Sequence, residues 1–389
     1  MKIAYILNCT SPTNGATKAF MNMLDNLTPY GIEPFVVVPD RAGIYQELCK
    51  RKIPTLAITY RPSVYPYHNT LKQNILFFPK LAARNLANWK ATKILTTWIK
   101  QNKIDLVHSN TSVIRIGFSA AQKAGIPHIY HIREFADRIG IHYFPRRSSF
   151  THQLNYKNSH SIYVTKAVQN HYQQCGNQEN SRQIYDGVFN EIAEMPTGGT
   201  KNYFLFAGRI QKAKGLHLLL VAYQKYAEQT SEPLILKVAG DVSDKKYYKK
   251  MTRFVKEHNL THLVEFLGNC IDIATLMKNA RALIISTPFE GFGLCMPEAM
   301  QQGCLVIGRN TSGTKEQLDN ALAMTGREIA LRYETCEQLT SLLVQVTSQP
   351  LEYYQTYIET AFNVVNELYT NEKNAKQVYD FYNDILRRQ

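Results

Sequence analysis

The run ALII at 282–285 leads straight into STPFEGFGLCMPEAMQQ at 286–302, and this junction restricts the fold more than any other stretch. A short apolar run reads as a buried strand. The turn after it carries two glycines flanking an aromatic, then Pro297 and a set of good helix formers. Strand, glycine-rich loop and helix start together make a phosphate-binding layout. Gly291 and Gly293 let the backbone approach a ligand and aim N–H groups at it. Pro297 suits the first helical position, where its missing N–H costs nothing. Glu290 and Glu298 bracket the loop. An acid at a phosphate site would repel the phosphate, so these two make sense facing hydroxyls, of a sugar on one side and a ribose on the other. Taken alone, the stretch also fits an ordinary strand–turn–helix corner with two solvated glutamates.

The stretch does not stand alone. At 204–215 the sequence reads FLFAGRIQKAKG, a strand over 203–207 running into Gly208, with the cations Arg209 and Lys214 behind it. The two stretches together resemble the retaining glycosyltransferases of the GT4 family. That family is marked by a Gly-Arg…Lys-Gly element and by two glutamates around a Phe-Gly-Leu. Here these are Gly208-Arg209…Lys214-Gly215, and Glu290…Glu298 around Phe292-Gly293-Leu294.

The resemblance implies an α/β chain of the GT-B fold: two Rossmann-like doubly wound domains facing a central cleft, with a C-terminal helix crossing back to the first. The expected domains are 1–190 with 371–389 for the acceptor, and 200–368 for the nucleotide sugar. The implied activity is retaining transfer of a sugar from a nucleoside diphosphate, with UDP expected, to a glycan or lipid-linked acceptor in cell-surface polysaccharide or cell-wall synthesis. A non-catalytic nucleotide-sugar-binding or partner subunit of the same fold is the alternative. The intact Arg209, Lys214, Glu290 and Glu298 weigh against that alternative, while Arg133-Glu134, standing where many members of the family carry His-Asp, weighs for it.

Composition sets outer bounds. A length of 389 residues suggests two domains of ordinary size. The seven cysteines, at 9, 49, 175, 270, 295, 304 and 336, are scattered and odd in number, with no CxxC pair. They point to a reducing compartment and away from a disulfide scaffold or zinc site. The apolar run at 2–8 is too short for a signal peptide and reads as a first strand. No stretch reaches transmembrane length, so the expected location is cytoplasmic, with peripheral contact at the inner face of the membrane open.

Charge is uneven along the chain. Residues 1–185 hold 23 Lys and Arg against 8 Asp and Glu, while residues 186–389 hold 22 against 23. Between Glu47 and Asp105 there is no acid at all. Such a field suits an anionic partner: a membrane surface, a diphosphate lipid or nucleic acid. No recognition motif supports nucleic acid. Within the gap, 71–100 is helical in composition with a break expected at Pro79. Ile75, Phe78, Ala82, Leu86 and Trp89 form a stripe among lysines and arginines. Most of that stripe is expected to face the core, and the missing acids to serve an anionic membrane surface.

Further candidates lie at strand ends. The loop CTSPTNGA at 9–16 follows the first strand, and Gly15 in it either cradles phosphate or closes a turn. Ser109-Asn110-Thr111 is expected to open a helix after the strand at 105–108. PHIYHI at 127–132 ends in Arg133-Glu134, where many members of the family carry His-Asp. His131 and Arg133 share a face of the strand. Either Arg133 meets a phosphate and His131 the sugar, or Arg133 and Glu134 only pair with neighbours. Asp186-Gly187-Val188 stands where the family typically has Asn-Gly-hydrophobic. The polar stretch at 191–202 reads as the interdomain linker.

In the second half the turn at Gly268-Asn269-Cys270 holds the nucleotide base, by resemblance. The stretch 351–388 reads as helical, with Val378, Phe381, Tyr382 and Ile385 on one face. The planar fork of Arg209 suits phosphate oxygens and Lys214 adds a compact charge. By resemblance both contact the diphosphate, supplemented by the N–H groups around Phe292 and Leu294. Glu290 is read as holding sugar hydroxyls rather than as a nucleophile, and Glu298 as a ribose acceptor. With no Asp-x-Asp motif, no metal and no other cofactor is expected.

Overall fold

Runs that are apolar at nearly every position make strands buried on both faces, and such strands belong in parallel sheets covered by helices. The computed structural model describes residues 1–66, 71–173, 180–192 and 194–388; Cys175 lies outside them. Two compact units emerge: Met1–Gly187 with Asn371–Gln389, and Val188–Thr370.

The first unit holds β1 (Lys2–Ile6), β2 (Glu33–Val38), β3 (Thr55–Ala57), β4 (Leu106–Ser109), β5 (His128–Ile132), β6 (Ser159–Tyr163) and β7 (Ser181–Gln183). They pair in the order β3-β2-β1-β4-β5-β6-β7, all parallel. The second unit holds β8 (Tyr203–Ala207), β9 (Ile235–Ala239), β10 (Val264–Gly268), β11 (Ala282–Ile285), β12 (Leu305–Arg309) and β13 (Leu331–Tyr333), in the order β10-β9-β8-β11-β12-β13, again all parallel. Each sheet is a doubly wound Rossmann-type arrangement. Each reverses its direction of growth once, between β1 and β4 and between β8 and β11. Ligands of open parallel sheets bind outside the carboxyl ends of the strands at such a reversal.

The pleat of β1 shows how both faces are filled. Ile3 and Tyr5 join a core with Phe20, Met23 and Leu24 of helix Gly15–Leu27 and with Val378, Phe381, Tyr382 and Ile385 of helix Asn371–Arg387. Ala4 and Ile6 join the other core, with Leu95, Ile99, Ala120 and Ala121. The last helix is thus part of the first unit, on the apolar face its sequence suggests.

Several expectations are corrected. The stretch 351–388 is a 3-10 turn at Leu351–Tyr354 and two helices, Gln355–Leu368 and Asn371–Arg387. The chain changes unit in the break between those helices. It first leaves unit one at Gly187, ahead of 191–202. The Val188 N–H donates to the Tyr369 carbonyl at 3.0 Å, Gln301 Nε2 donates to the Asn190 carbonyl at 3.1 Å, and Met195 packs on the core of the second unit, which includes Phe204, Leu220 and Ile358. Ser109 still belongs to β4, and the following helix starts later, at Ile116–Ala124. Asn110 is not a cap; its Nδ2 donates to the Ala16 carbonyl at 2.9 Å.

The break in the basic stretch falls at Leu76, between helices Leu71–Ile75 and Phe77–Asn102. Pro79 lies in the first turn of the second helix, where an N–H has no intrahelical partner anyway. The stripe expected to face the core is exposed instead. The buried residues of this helix are Ala91, Thr92, Leu95 and Ile99, and Phe78, Ala82 and Trp89 lie about a quarter to a third of a turn round the helix from them. The helix is apolar on both sides, and the side toward the small residues Ala120 and Ala121 is the one covered. Among the described residues, no helix is long and apolar enough to cross a membrane.

Candidate active site

In the second unit, the reversal between β8 and β11 brings together the two stretches that carry the family resemblance. After β8 come Gly208, the exposed Arg209, and a 3-10 turn at Lys212–Lys214. Gly215 follows in the left-handed region at φ +74°, and a Cβ there would lie 2.1 Å from the Ser286 carbonyl oxygen. Only glycine lets the β8 turn sit directly on the start of the β11 loop. Ser286 Oγ seals the contact by donating to the Lys214 carbonyl at 3.2 Å.

That docking sets Lys214 opposite Glu290. The Lys214 ammonium donates to both carboxylate oxygens, at 3.0 and 2.7 Å, and the side chains are 25% and 12% exposed. Gly293, at φ +90°, takes a conformation a larger residue resists, and its Cβ would press on Glu290 Cγ at 2.7 Å. Neighbouring elements hold the loop by its carbonyls. The Gly313 N–H donates to Glu290 O at 3.0 Å, the buried Gln317 Nε2 to Phe292 O at 2.5 Å, Thr311 Oγ1 to Pro288 O at 3.2 Å and Tyr333 OH to Ile285 O at 3.0 Å. The Phe292 ring meets Tyr369 edge-on at 5.2 Å.

The helix after the loop is Cys295–Gln301, capped by Leu294. Pro297 is therefore its third residue, not its first, since the glycine turn closes within fewer residues than expected. Glu298 stands one position further, half-buried. Burial, with the Glu290 carboxylate beside it, pushes the Cys295 thiol up to about 12, which keeps it protonated and inert. Thr311 is the cap of helix Ser312–Thr325, which places Gly313 in its first turn. Asn269 and Cys270 follow β10, two strands away from β8. Asn269 is exposed, and Cys270 Sγ lies 3.6 Å from the Gly268 carbonyl.

In the first unit the corresponding strand ends carry a buried polar cluster. His131 of β5 and His108 of β4 are fully buried. Arg133 Nη2 lies 3.1 Å from His131 Nδ1, and an arginine can only donate, so that nitrogen accepts. The ring proton of His131 is then on Nε2. His108 Nε2, 3.1 Å from the same Nδ1, must donate as well, and Tyr382 OH donates to His108 Nδ1 at 2.6 Å. The tautomers of both rings are fixed by one guanidinium. Arg133 also donates to the Asp186 carboxylate and, at 3.3 Å, to Asn110 Oδ1. Glu134 accepts from the Ser112 N–H and Oγ at 3.1 and 2.5 Å and from the Arg133 N–H at 3.2 Å. Arg133 and Glu134 therefore pair with neighbours in this structure. The pairing joins two departures from the family pattern, at 133–134 and at 186. Gly15 begins helix Gly15–Leu27, whose Ala16 and Thr17 N–H groups donate to Asn14 Oδ1 at 3.0 and 3.4 Å.

Asp186, Gln317 and His108 were not singled out as site residues from sequence. Only Asp186 gave a signal, as a departure from asparagine.

Burial dominates the electrostatics of this cluster. It holds His108 down to about 3, with Arg133 adding to the effect, and His160 down to about 4; it drives His131 and His128 well below their usual value. The unfolded chain takes up protons at these rings near pH 6.5, while the fold refuses them. Stability is therefore expected to fall as pH drops below about 6.5. The buried Asp186 and Glu134, raised by desolvation, act in the opposite sense where they take up protons. Urea denaturation at pH 7.5 and pH 5.5 checks the balance. A midpoint that does not fall at the lower pH rules it out.

Two family models match the chain in tandem: Glycosyltransferase Family 4 over residues 13–190 and Glycosyl transferases group 1 over residues 189–361. Among curated proteins, it is 28% identical over 256 residues to the uncharacterized glycosyltransferase MJ1178 of Methanocaldococcus jannaschii, covering 64% of this chain and 68% of that one. It is 23% identical over 188 residues to N-acetyl-alpha-D-glucosaminyl L-malate synthase of Bacillus anthracis, covering 48% and 47%. Among solved structures, Anabaena Alr3699/HepE in complex with UDP-glucose superimposes with a TM-score of 0.75 at 19% identity, covering 99% of this chain and 100% of that one. WaaG, a glycosyltransferase involved in lipopolysaccharide biosynthesis, does so with 0.72 at 15% identity, covering 97% and 98%.

Proposed function

The chain belongs to the family 4, group 1 glycosyltransferases, enzymes of the GT-B fold, and from that premise we propose that it moves a hexose from a UDP-sugar to a glycan or lipid-linked acceptor, with retention, in the building of a cell-surface polysaccharide or wall glycan. The observation that carries the donor assignment is the Lys214–Glu290 pair, with Arg209 exposed nearby, at the strand ends flanking the reversal of the second sheet. HepE, which shares the fold, has been solved with UDP-glucose, and UDP is assigned here on that analogy.

When the anomeric bond stretches, negative charge grows on the departing diphosphate. Fixed cations aimed at that charge stabilise the transition state more than the ground state. Arg209 and Lys214 take this role, and no divalent metal is needed in it. Lys214 and Glu290 neutralise each other in the ion pair. In this reading the phosphate draws on the ammonium, while the Glu290 carboxylate turns to sugar hydroxyls and positions the anomeric carbon. Glu298 receives ribose hydroxyls. Gly208, Gly291, Phe292, Gly293 and Leu294 bring backbone to the donor, with Asn269 and Cys270 at the base. In the first unit Gly15, at a helix start, is the candidate for backbone contact with phosphate, while the buried and mutually paired His131 and Arg133 shape the strand ends rather than touch a ligand. The acceptor is met at an anionic membrane surface by the basic first unit, on the cytoplasmic face.

A thermal-shift screen across nucleotide sugars tests the donor reading, because a ligand bound only by the fold raises Tm by mass action. UDP-sugars are expected to raise it and free hexoses not. If no nucleotide sugar moves it, the reading fails. Transfer from radiolabelled donors then separates an enzyme from a binding subunit.

A further inference from the structure

The helix Phe77–Asn102 contains five lysines and arginines and no acid. One face of it is buried through Ala91, Leu95 and Ile99. The other face leaves Phe78 76%, Leu86 54% and Trp89 51% exposed, and the helix before it leaves Leu71 and Ile75 still more open than Leu86. Single exposed apolar residues need no explanation, but a row of large ones at helical spacing does. Phe78, Ala82, Leu86 and Trp89 are spaced by four, four and three residues, which keeps them on one side. Lys90 and Lys93 are exposed beside them, and the Lys93 ammonium sits 3.8 Å over the Trp89 ring. Arg84 points the other way, with Nη1 donating to the Val64 carbonyl at 2.9 Å.

We propose that this face enters an anionic lipid bilayer, with Phe78, Leu86 and Trp89 sunk between the headgroups and Lys90 and Lys93 on the lipid phosphates. The inference deepens the membrane partner proposed above and does not depend on sugar transfer. Charge selects this occupant. A protein groove would cover the apolar row as well, but an acid-free helix with exposed lysines around an aromatic and aliphatic row matches a surface that is anionic outside and apolar within. Electrostatics alone would leave the row unexplained, since Phe78 and Leu86 add nothing to attraction by phosphate.

The test uses the full chain with Trp98→Phe, which leaves Trp89 as the sole tryptophan. Vesicles of phosphatidylglycerol and phosphatidylcholine, and of phosphatidylcholine alone, are the probes. Binding to the anionic vesicles is expected, with a blue shift of Trp89 emission and quenching by bromine-labelled acyl chains. Phe78→Ser with Leu86→Ser should weaken binding on the order of 100-fold, and Lys90→Gln with Lys93→Gln about fivefold per charge. Binding that is unchanged by the serine substitutions, or Trp89 unquenched on bound vesicles, would leave only surface attraction and overturn insertion. A wild-type dimer in gel filtration that the serine variant abolishes, with no vesicle binding by either, would assign the face to a second copy instead. The thermal shift by UDP-sugar, measured in the same variants, reports whether they fold and whether the donor reading stands independently.

Discussion

Lys214→Ala is expected to lower turnover roughly 100- to 1000-fold, the range seen when one preorganised group that meets transition-state charge is removed. The ammonium is held in place because Gly215 lets its turn lie on the β11 loop and Glu290 accepts two hydrogen bonds from it. Removing it also leaves the Glu290 carboxylate, 12% exposed, without its counter-charge. That charge would repel a diphosphate, so part of the loss belongs to Glu290 rather than to the missing cation. The double variant Lys214→Ala with Glu290→Gln separates the two. It should regain donor affinity relative to Lys214→Ala, read by thermal shift, yet remain slow in turnover. If Lys214→Ala turns over like the wild type, Lys214 does not meet the leaving group. If the double variant binds donor no better than the single one, the pair is not coupled at the donor site.

The sheet architecture was legible because parallel strands buried on both faces need no alternation, and runs such as KIAYI and YFLFA announce themselves. The two glycine turns were legible for a related reason: positive φ or close backbone approach leaves glycine in the sequence. Contacts between distant side chains leave no such mark. Lys214 and Glu290 were each singled out, but as separate contacts to a ligand, and nothing local says that residues 76 positions apart form an ion pair. Periodicity also failed on the helix Phe77–Asn102. A 3.6-residue repeat tells which residues share a face, not whether that face is covered. With apolar side chains on both sides, the choice was made by small residues on the neighbouring helix Ile116–Ala124, out of reach of a local pattern.

The pairing of Arg133 with Asp186 is a contact of the same kind, and it has a large expected consequence. Their side chains are 6% and 7% exposed, so each charge depends on the other. Asp186→Ala leaves a buried guanidinium without its carboxylate and is expected to destabilise the protein by about 3–5 kcal/mol. Replacing both partners with apolar residues, Arg133→Met with Asp186→Leu, removes the two desolvation costs together and should recover most of that loss. A third variant carries Arg133→His with Asp186→Asn, the residue types the family typically has at these positions. Each half alone should be worse than the two combined, because each single change leaves the other partner's charge buried without its counter-charge. A double-mutant cycle in urea gives the coupling directly. The same cycle reaches the histidines: Arg133 is what makes His131 Nδ1 an acceptor and His108 Nε2 a donor. Its loss should release both tautomers, visible in the imidazole nitrogen shifts. Single effects that simply add, with unchanged imidazole shifts, would mean that Arg133 and Asp186 are neighbours without dependence and that the cluster is organised by something else.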